Sequence, residues 1–249
     1  MKKASSNTLL KTLTAAGIGS RRRMADAIMK GLVEVNGRIV SDLRHAVDID
    51  KDRVTVDGHI VDMKPKQFVY LMLNKPVGVL STVHDEHGRE TVIDTLPPKY
   101  RDIGLHPVGR LDKDSAGLLL LTNDGDFTYR LTHPKFEEEK EYLVRIDGRL
   151  KPQEILRLQK GIELEDGVAQ GAIVRSVSGI LPFNYSVTLH EGRKRQVRRM
   201  FAALGYRVTA LRRVREGDVM LGDLAEGGVR ELSAGEIASS KYVLSGVEE

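Results

Sequence analysis

Five consecutive residues, Leu118-Leu119-Leu120-Leu121-Thr122, constrain the fold of this chain more than any other segment. The run is apolar and too short for a helix, and Asn123-Asp124-Gly125 closes it with a turn signal. It therefore predicts a strand buried on both faces, which needs cover above and below. Further strands are predicted over residues 68–73, ended by Asn74-Lys75-Pro76, and over 141–146, 185–189 and 208–211. A short helix is expected to reach Leu131 and stop near Pro134. A second, over 195–204, places Val197, Met200, Phe201 and Leu204 on one face and ends at Gly205. Short mixed strands with few helices predict an α+β domain on a mainly antiparallel mixed sheet.

The N-terminal quarter is organised differently. Residues 7–16 read as a helix through Leu9, Leu10 and Leu13, stopped by Gly17. Ser20 is an N-cap for a second helix that runs to Lys30 and ends at Gly31. Arg21, Arg22 and Arg23 sit in its first turn, where cations oppose the helix dipole. They are either simply solvated or matched by a phosphate, which a helix N-terminus favours. Apolar residues then flank Asn36-Gly37 and Asp57-Gly58, two strong hairpin signals. The predicted organisation is a small basic α/β module over 1–62, a linker over 63–67 around Pro65, a larger domain over 68–242 and a tail over 243–249.

Charge supports that division. Residues 1–66 hold 13 Lys/Arg and 8 Asp/Glu, whereas 67–249 hold 26 and 27. The second part is neutral overall yet carries nine Lys/Arg between Glu191 and Arg215 against one acidic residue, Glu191. Such stripes bind polyanions with strong salt dependence, although a lone charge run is more often a solvated surface. Arg193, Lys194, Arg195 and Arg199 are the candidate contacts. The chain contains no cysteine, so disulfides and thiolate metal sites are excluded. The basic start is not followed by a signal-peptide apolar stretch, and no apolar run approaches the length of a membrane span. These features predict a cytoplasmic protein that does not contact membrane; a monomer is expected, although the sequence does not fix the oligomeric state.

Asp112 lies in the Gly-bracketed loop 109–117, directly before the buried strand. From spacing alone it is an Asx-turn residue or a loop carboxylate paired with Arg110 more readily than a nucleophile. Histidine spacing offers no metal site, and the chain lacks a phosphate-cradling Gly-rich loop or dinucleotide fingerprint, so neither metal nor cofactor is expected.

The longer strings add to this. Gly109-Arg110-Leu111-Asp112, followed by residues 115–125, resembles the catalytic motif of RNA pseudouridine synthases. Asn74-Lys75-Pro76-Val77-Gly78 resembles the first motif of the ribosomal RNA branch of that family. Glu139-Lys140-Glu141-Tyr142-Leu143-Val144 resembles its Lys/Tyr strand, and residues 191–200 its basic motif. Residues 16–22 and 31–37 resemble the S4-like RNA-binding domain that this branch carries at its N-terminus. Lys194-Arg195 departs from the usual pattern of the basic motif and could tune RNA contacts.

The resemblance implies an enzyme that isomerises one uridine of ribosomal RNA or of a ribosome-assembly intermediate. Asp112 would be the nucleophile, attacking the sugar at C1′ or the base at C6. Tyr142 would stack on the uracil, and Arg198 would pair with Asp112. Arg110 would fill the space left by the flipped base. Residues 75–127 look most like the large-subunit group, with small-subunit RNA the alternative substrate. The rivals are a non-catalytic assembly factor, a DNA-binding regulator built on the helix at Arg195, and a hydrolase using Asp112.

Overall fold

The computed structural model describes residues 8–64 and 67–242. The expected linker positions Pro65 and Lys66, residues 1–7 and the tail lie outside the described residues. The chain divides into two compact units, Met1–Phe68 and Val69–Glu249.

In the first unit, helices α1 (Leu9–Ala15) and α2 (Arg21–Met29) accompany strands β1 (Val33–Val35), β2 (Arg38–Ile39), β3 (Val54–Val56) and β4 (His59–Val61). The strands form an antiparallel sheet in the order β2-β1-β3-β4. Ser20 caps α2 as expected, its hydroxyl accepting the Arg23 N–H at 3.2 Å. Both hairpins close through two-residue loops whose residues all have positive φ: Asn36 (53°), Gly37 (77°), Asp57 (52°) and Gly58 (76°). Left-handed pairs of this kind match the twist of the flanking strands. Leu9, Leu13, Met24 and Ile28 pack with Val33 and Val54 in one apolar core.

The second unit is built on a nine-stranded sheet. In chain order its elements are β5 (Tyr70–Lys75), α3 (Pro98–Arg101), β6 (His106–Val108), β7 (Ala116–Thr122), α4 (Gly125–Thr132), β8 (Lys140–Ile146) and α5 (Pro152–Lys160). Strands β9 (Ile162–Leu164), β10 (Gly167–Ala169), β11 (Ile173–Ser176) and β12 (Tyr185–Leu189) follow. The chain continues through α6 (Gln196–Ala202), β13 (Val208–Glu216), β14 (Val219–Met220), β15 (Val229–Glu231) and α7 (Ala234–Tyr242). The sheet runs β11-β12-β8-β13-β7-β5-β15, with β14 on β13 and β6 on β7, while β9 and β10 form a separate hairpin. The β13–β7 pair is parallel and the other pairs of the sheet are antiparallel.

Strand β7 is buried along its whole length. Leu118 and Leu120 face one core, with Phe127 and Leu131 of α4, while Leu119 and Leu121 face a second, with Leu71, Leu73 and Leu96. This is the two-sided burial that the apolar run predicts. Strand β13 extends beyond the expected 208–211 to Glu216, because Arg213 and Glu216 are buried as a pair. The predicted helix 195–204 is shorter, Gln196–Ala202, because Arg195 adopts a left-handed conformation before it.

Candidate active site

Strands β6 and β7 are antiparallel neighbours, so residues 109–115 form the connection between them and hold Asp112 at the sheet end. The connection is tied down along its length. Gly109 turns at φ 71°. Leu111 is buried in the core; its N–H donates to Ser81 Oγ at 3.1 Å, and the Ser81 hydroxyl donates to the Leu111 carbonyl at 2.9 Å. The Gly78 N–H donates to the Lys113 carbonyl at 2.8 Å, and the Ser115 N–H to the Asp112 carbonyl at 3.1 Å. Beneath the loop lies Lys75, fully buried, whose Nζ donates to the carbonyls of Ser115 and Pro76, each at 2.8 Å. Burial pulls the Lys75 ammonium down to about 8, against the opposing pull of Asp114 and Asp112.

The basic side comes from α6. The guanidinium of Arg195 makes a two-point contact with Asp114, 3.0 and 2.9 Å, and its Nη1 lies 3.7 Å from Asp112 Oδ2. The hydrogen bond from Arg195 is the chief reason that the Asp114 carboxyl is held below its usual range. Arg198, expected to pair with Asp112, instead donates to the Asp114 carbonyl (2.8 Å) and the Val208 carbonyl (3.0 Å) and lies 3.4 Å from Asp114 Oδ2. Three positions separate the two arginines, and Arg195 stands before the helix at φ 52°. That offset sends Arg198 between the loop backbone and β13, leaving Arg195, outside the helix, over the carboxylate.

Tyr142 enters from β8, the strand between β12 and β13, with Arg213 as its register partner. The residue is partly exposed in the cleft, but its hydroxyl is enclosed. Burial raises it, while the charge and hydrogen bonding of Arg213 oppose the rise. The resting group is therefore the neutral phenol. Arg213 itself is buried, its Nε donating to the Leu118 carbonyl at 2.8 Å and its Nη2 lying 3.1 Å from Glu216. Lys140 Nζ stands 3.8 Å from the other Glu216 oxygen.

Asp112, Tyr142, Arg110, Arg213 and the segment 189–197 line one cleft of roughly 760 Å³. Arg110 and Lys194 are exposed there. Arg193 and Arg199 are engaged by acidic neighbours: Arg193 lies 3.1 Å from Glu191 and 3.6 Å from Asp166, and Arg199 lies 2.6 Å from Asp166. In the other unit Arg21, Arg22 and Arg23 are exposed on the first turn of α2. Among the described residues no group of three or more His, Asp or Glu could hold a metal ion.

Reading the sequence missed the roles of Lys75, Arg213 and Glu216. The available signal was charge within strands: Lys75 ends a strand with no exposed position, and Arg213 and Glu216 stand at the i, i+3 spacing of an ion pair.

Known proteins resemble this chain over most of its length. The RNA pseudouridylate synthase family matches residues 69–203, and the S4 domain matches residues 8–52. Ribosomal large subunit pseudouridine synthase B of Bacillus subtilis (strain 168) is 40% identical over 236 residues, 92% of this chain and 93% of its own. The protein of the same name from Vibrio cholerae is 41% identical over 237 residues, 93% of this chain and 73% of its own. A crystal structure of a pseudouridylate synthase superposes with a TM-score of 0.67 at 32% identity, covering 94% of this chain and 99% of that one.

Proposed function

The chain belongs to the RNA pseudouridylate synthase family and carries an S4 domain, and on that footing we propose that it isomerises a uridine of large-subunit ribosomal RNA. The observation that carries the reading is Asp112 on a clamped loop in one cleft with Tyr142 and Arg195. In the reaction the N1–C1′ bond breaks, the uracil turns, and C5 bonds to C1′. The C5 proton leaves and N1 gains one, so no oxidant or external energy is needed. Asp112 is the nucleophile, at C1′ or at C6. Arg195 orients its carboxylate, and Arg198 holds the loop by pairing with Asp114. The Tyr142 ring stacks on the uracil while it turns. A paired uridine is unreachable, so the nucleotide is flipped out of its helix at a cost of a few kcal/mol. Arg110 fills the vacated space, and Lys194 contacts phosphate.

Residues 1–62 serve as the docking domain, with Arg21, Arg22 and Arg23 on the RNA, and residues 68–242 as the catalytic domain. The substrate is the RNA itself or an assembly intermediate, met by a monomer in the cytoplasm. No helix among the described residues is long and apolar enough to cross a membrane.

The test is tritium release from large- and small-subunit ribosomal RNA labelled at uridine C5, with partly assembled subunits as further substrates. Release from the large-subunit species is expected, and Asp112→Asn should abolish it while RNA affinity is kept. Full turnover in that variant would overturn the nucleophile assignment, and release confined to small-subunit RNA would overturn the substrate.

A further inference from the structure

An aromatic group that the reaction does not use stands on the rim of the same cleft. Tyr129 and His133 share a face of α4 and its end, with ring centroids 4.7 Å apart. Phe136, in the 3-10 turn Pro134–Phe136, meets Tyr129 edge-on at 5.8 Å. Lys135 Nζ lies 5.1 Å from the Tyr129 ring centre and 4.6 Å from that of Phe136. From beneath, the buried Arg130 stacks its guanidinium 4.6 Å from the Phe136 centre and lies 3.8 Å from Glu138. None of its side-chain nitrogens finds a hydrogen-bond partner, so the aromatic face and Glu138 are what balance its charge. Tyr129 is 48% exposed and His133 is exposed as well. Thr132, His133 and Pro134 line the cleft that holds Asp112 and Tyr142.

We propose that Tyr129, His133 and Phe136, with Lys135, form a stacking platform for an unpaired base of the RNA strand next to the target uridine. The proposal rests on the reading of the Asp112 cleft as the uridine site. A uridine delivered to Asp112 has left its helix, so a neighbouring base loses its stacking partner at the cleft mouth. Exposed rings beside a cation suit that base: every base has a π-face to stack, and Lys135 supplies charge for the adjoining phosphate. Arg130 holds the rings from below, so little freedom is lost when a base lands on them.

The test measures binding of the full-length protein to three probes of equal length: oligoadenylate, oligouridylate and an abasic phosphodiester strand. Tyr129→Leu keeps the apolar bulk and removes the π-face. It should weaken oligoadenylate binding about tenfold, oligouridylate less, and the abasic strand not at all. Tyr129→Trp should bind oligoadenylate at least as tightly as the unaltered protein does. Equal losses on abasic and base-bearing strands, no loss on any, or a Trp variant as weak as the Leu variant would each overturn the platform. Absence of tritium release from ribosomal RNA, with these binding results intact, would overturn the reading of the Asp112 cleft and the placement of the platform beside a target uridine, leaving the rings as a base-stacking surface only.

Discussion

Tyr142 and the Asp112 loop each lean on a buried cation, and the two cations behave differently. Arg213 is enclosed with Glu216 and faces the Tyr142 hydroxyl. Among the described residues, Arg213→Met would leave the buried Glu216 with Lys140 at 3.8 Å as its remaining cation, and breaking such a pair costs roughly 3–5 kcal/mol. Urea denaturation should show that loss, and Glu216→Gln in the same background should recover part of it. A single variant as stable as the parent would refute the role of the pair. Lys75 makes a prediction about pH. Its ammonium sits at about 8 in the folded protein against the ordinary 10.5. Between those values the unfolded chain binds more protons, so this group's contribution to stability rises with pH from about 8 to 10.5. The stability difference between the unaltered protein and Lys75→Met should therefore grow in favour of the former across that window. A flat difference would show that the lysine does not titrate under the loop. Neither cation was legible as functional in the sequence, because each acquires its role from neighbours far along the chain: Ser115 for Lys75, Tyr142 for Arg213. Asp112 could be proposed from the sequence because its motif is long; the Gly-bracketed loop alone did not single it out. Arg198, expected as its partner, lies on Asp114 instead, and Arg195 stands 3.7 Å from Asp112, because Arg195 takes a left-handed conformation that the string does not show.

The junction of β7 with β13 is where the scaffold is least tolerant of change. Gly117 has φ 106°, and a Cβ there would stand 2.2 Å from the Arg213 carbonyl oxygen and 2.6 Å from its nitrogen. Both are backbone atoms of the parallel neighbour, so neither a rotamer nor a small shift relieves the contact. Gly117→Ala should lower unfolding free energy by roughly 3 kcal/mol, and it should disturb Asp112 because the loop feeds directly into β7. Chemical denaturation checks the first effect and tritium release the second; an alanine variant with unchanged stability would mean the two strands can separate without cost. The same junction explains which elements sequence could show. Strand β7 declares itself by four consecutive leucines ahead of Thr122, and the hairpins of the first unit by Asn-Gly and Asp-Gly. The second half of β13, Arg212-Arg213-Val214-Arg215-Glu216, reads instead as surface charge, because burial in ion pairs leaves no apolar alternation to follow. Helix α5 buries only Leu158 and strand β11 only Val174, so their apolar periodicity is faint.

For the whole molecule, the question is which basic residues remain available to RNA. Arg193, Arg195 and Arg199 are already countered by Glu191, Asp166 and Asp114, so a phosphate would have to compete with carboxylates in place. Arg21, Arg22 and Arg23 are exposed and no ion pair holds them among the described residues. They also occupy the positive end of α2, where each cation is disfavoured by about 0.3–1 kcal/mol. An arrangement that costs the free protein something is one that a bound polyanion would offset. Replacing all three by alanine in the full chain, one phosphate contact each, should reduce the slope of log affinity against log salt by about 2 to 3. The same variant should unfold at no lower a temperature than the parent, since the repulsion at the helix end is gone. Single-turnover tritium release at saturating RNA should be unchanged, because the chemistry belongs to the other unit. Replacing Arg193 and Arg199 together should alter the salt slope less, as their charge is neutralised before RNA arrives. An unchanged slope in the triple variant, measured by filter binding across salt concentrations, would remove the first unit from RNA docking.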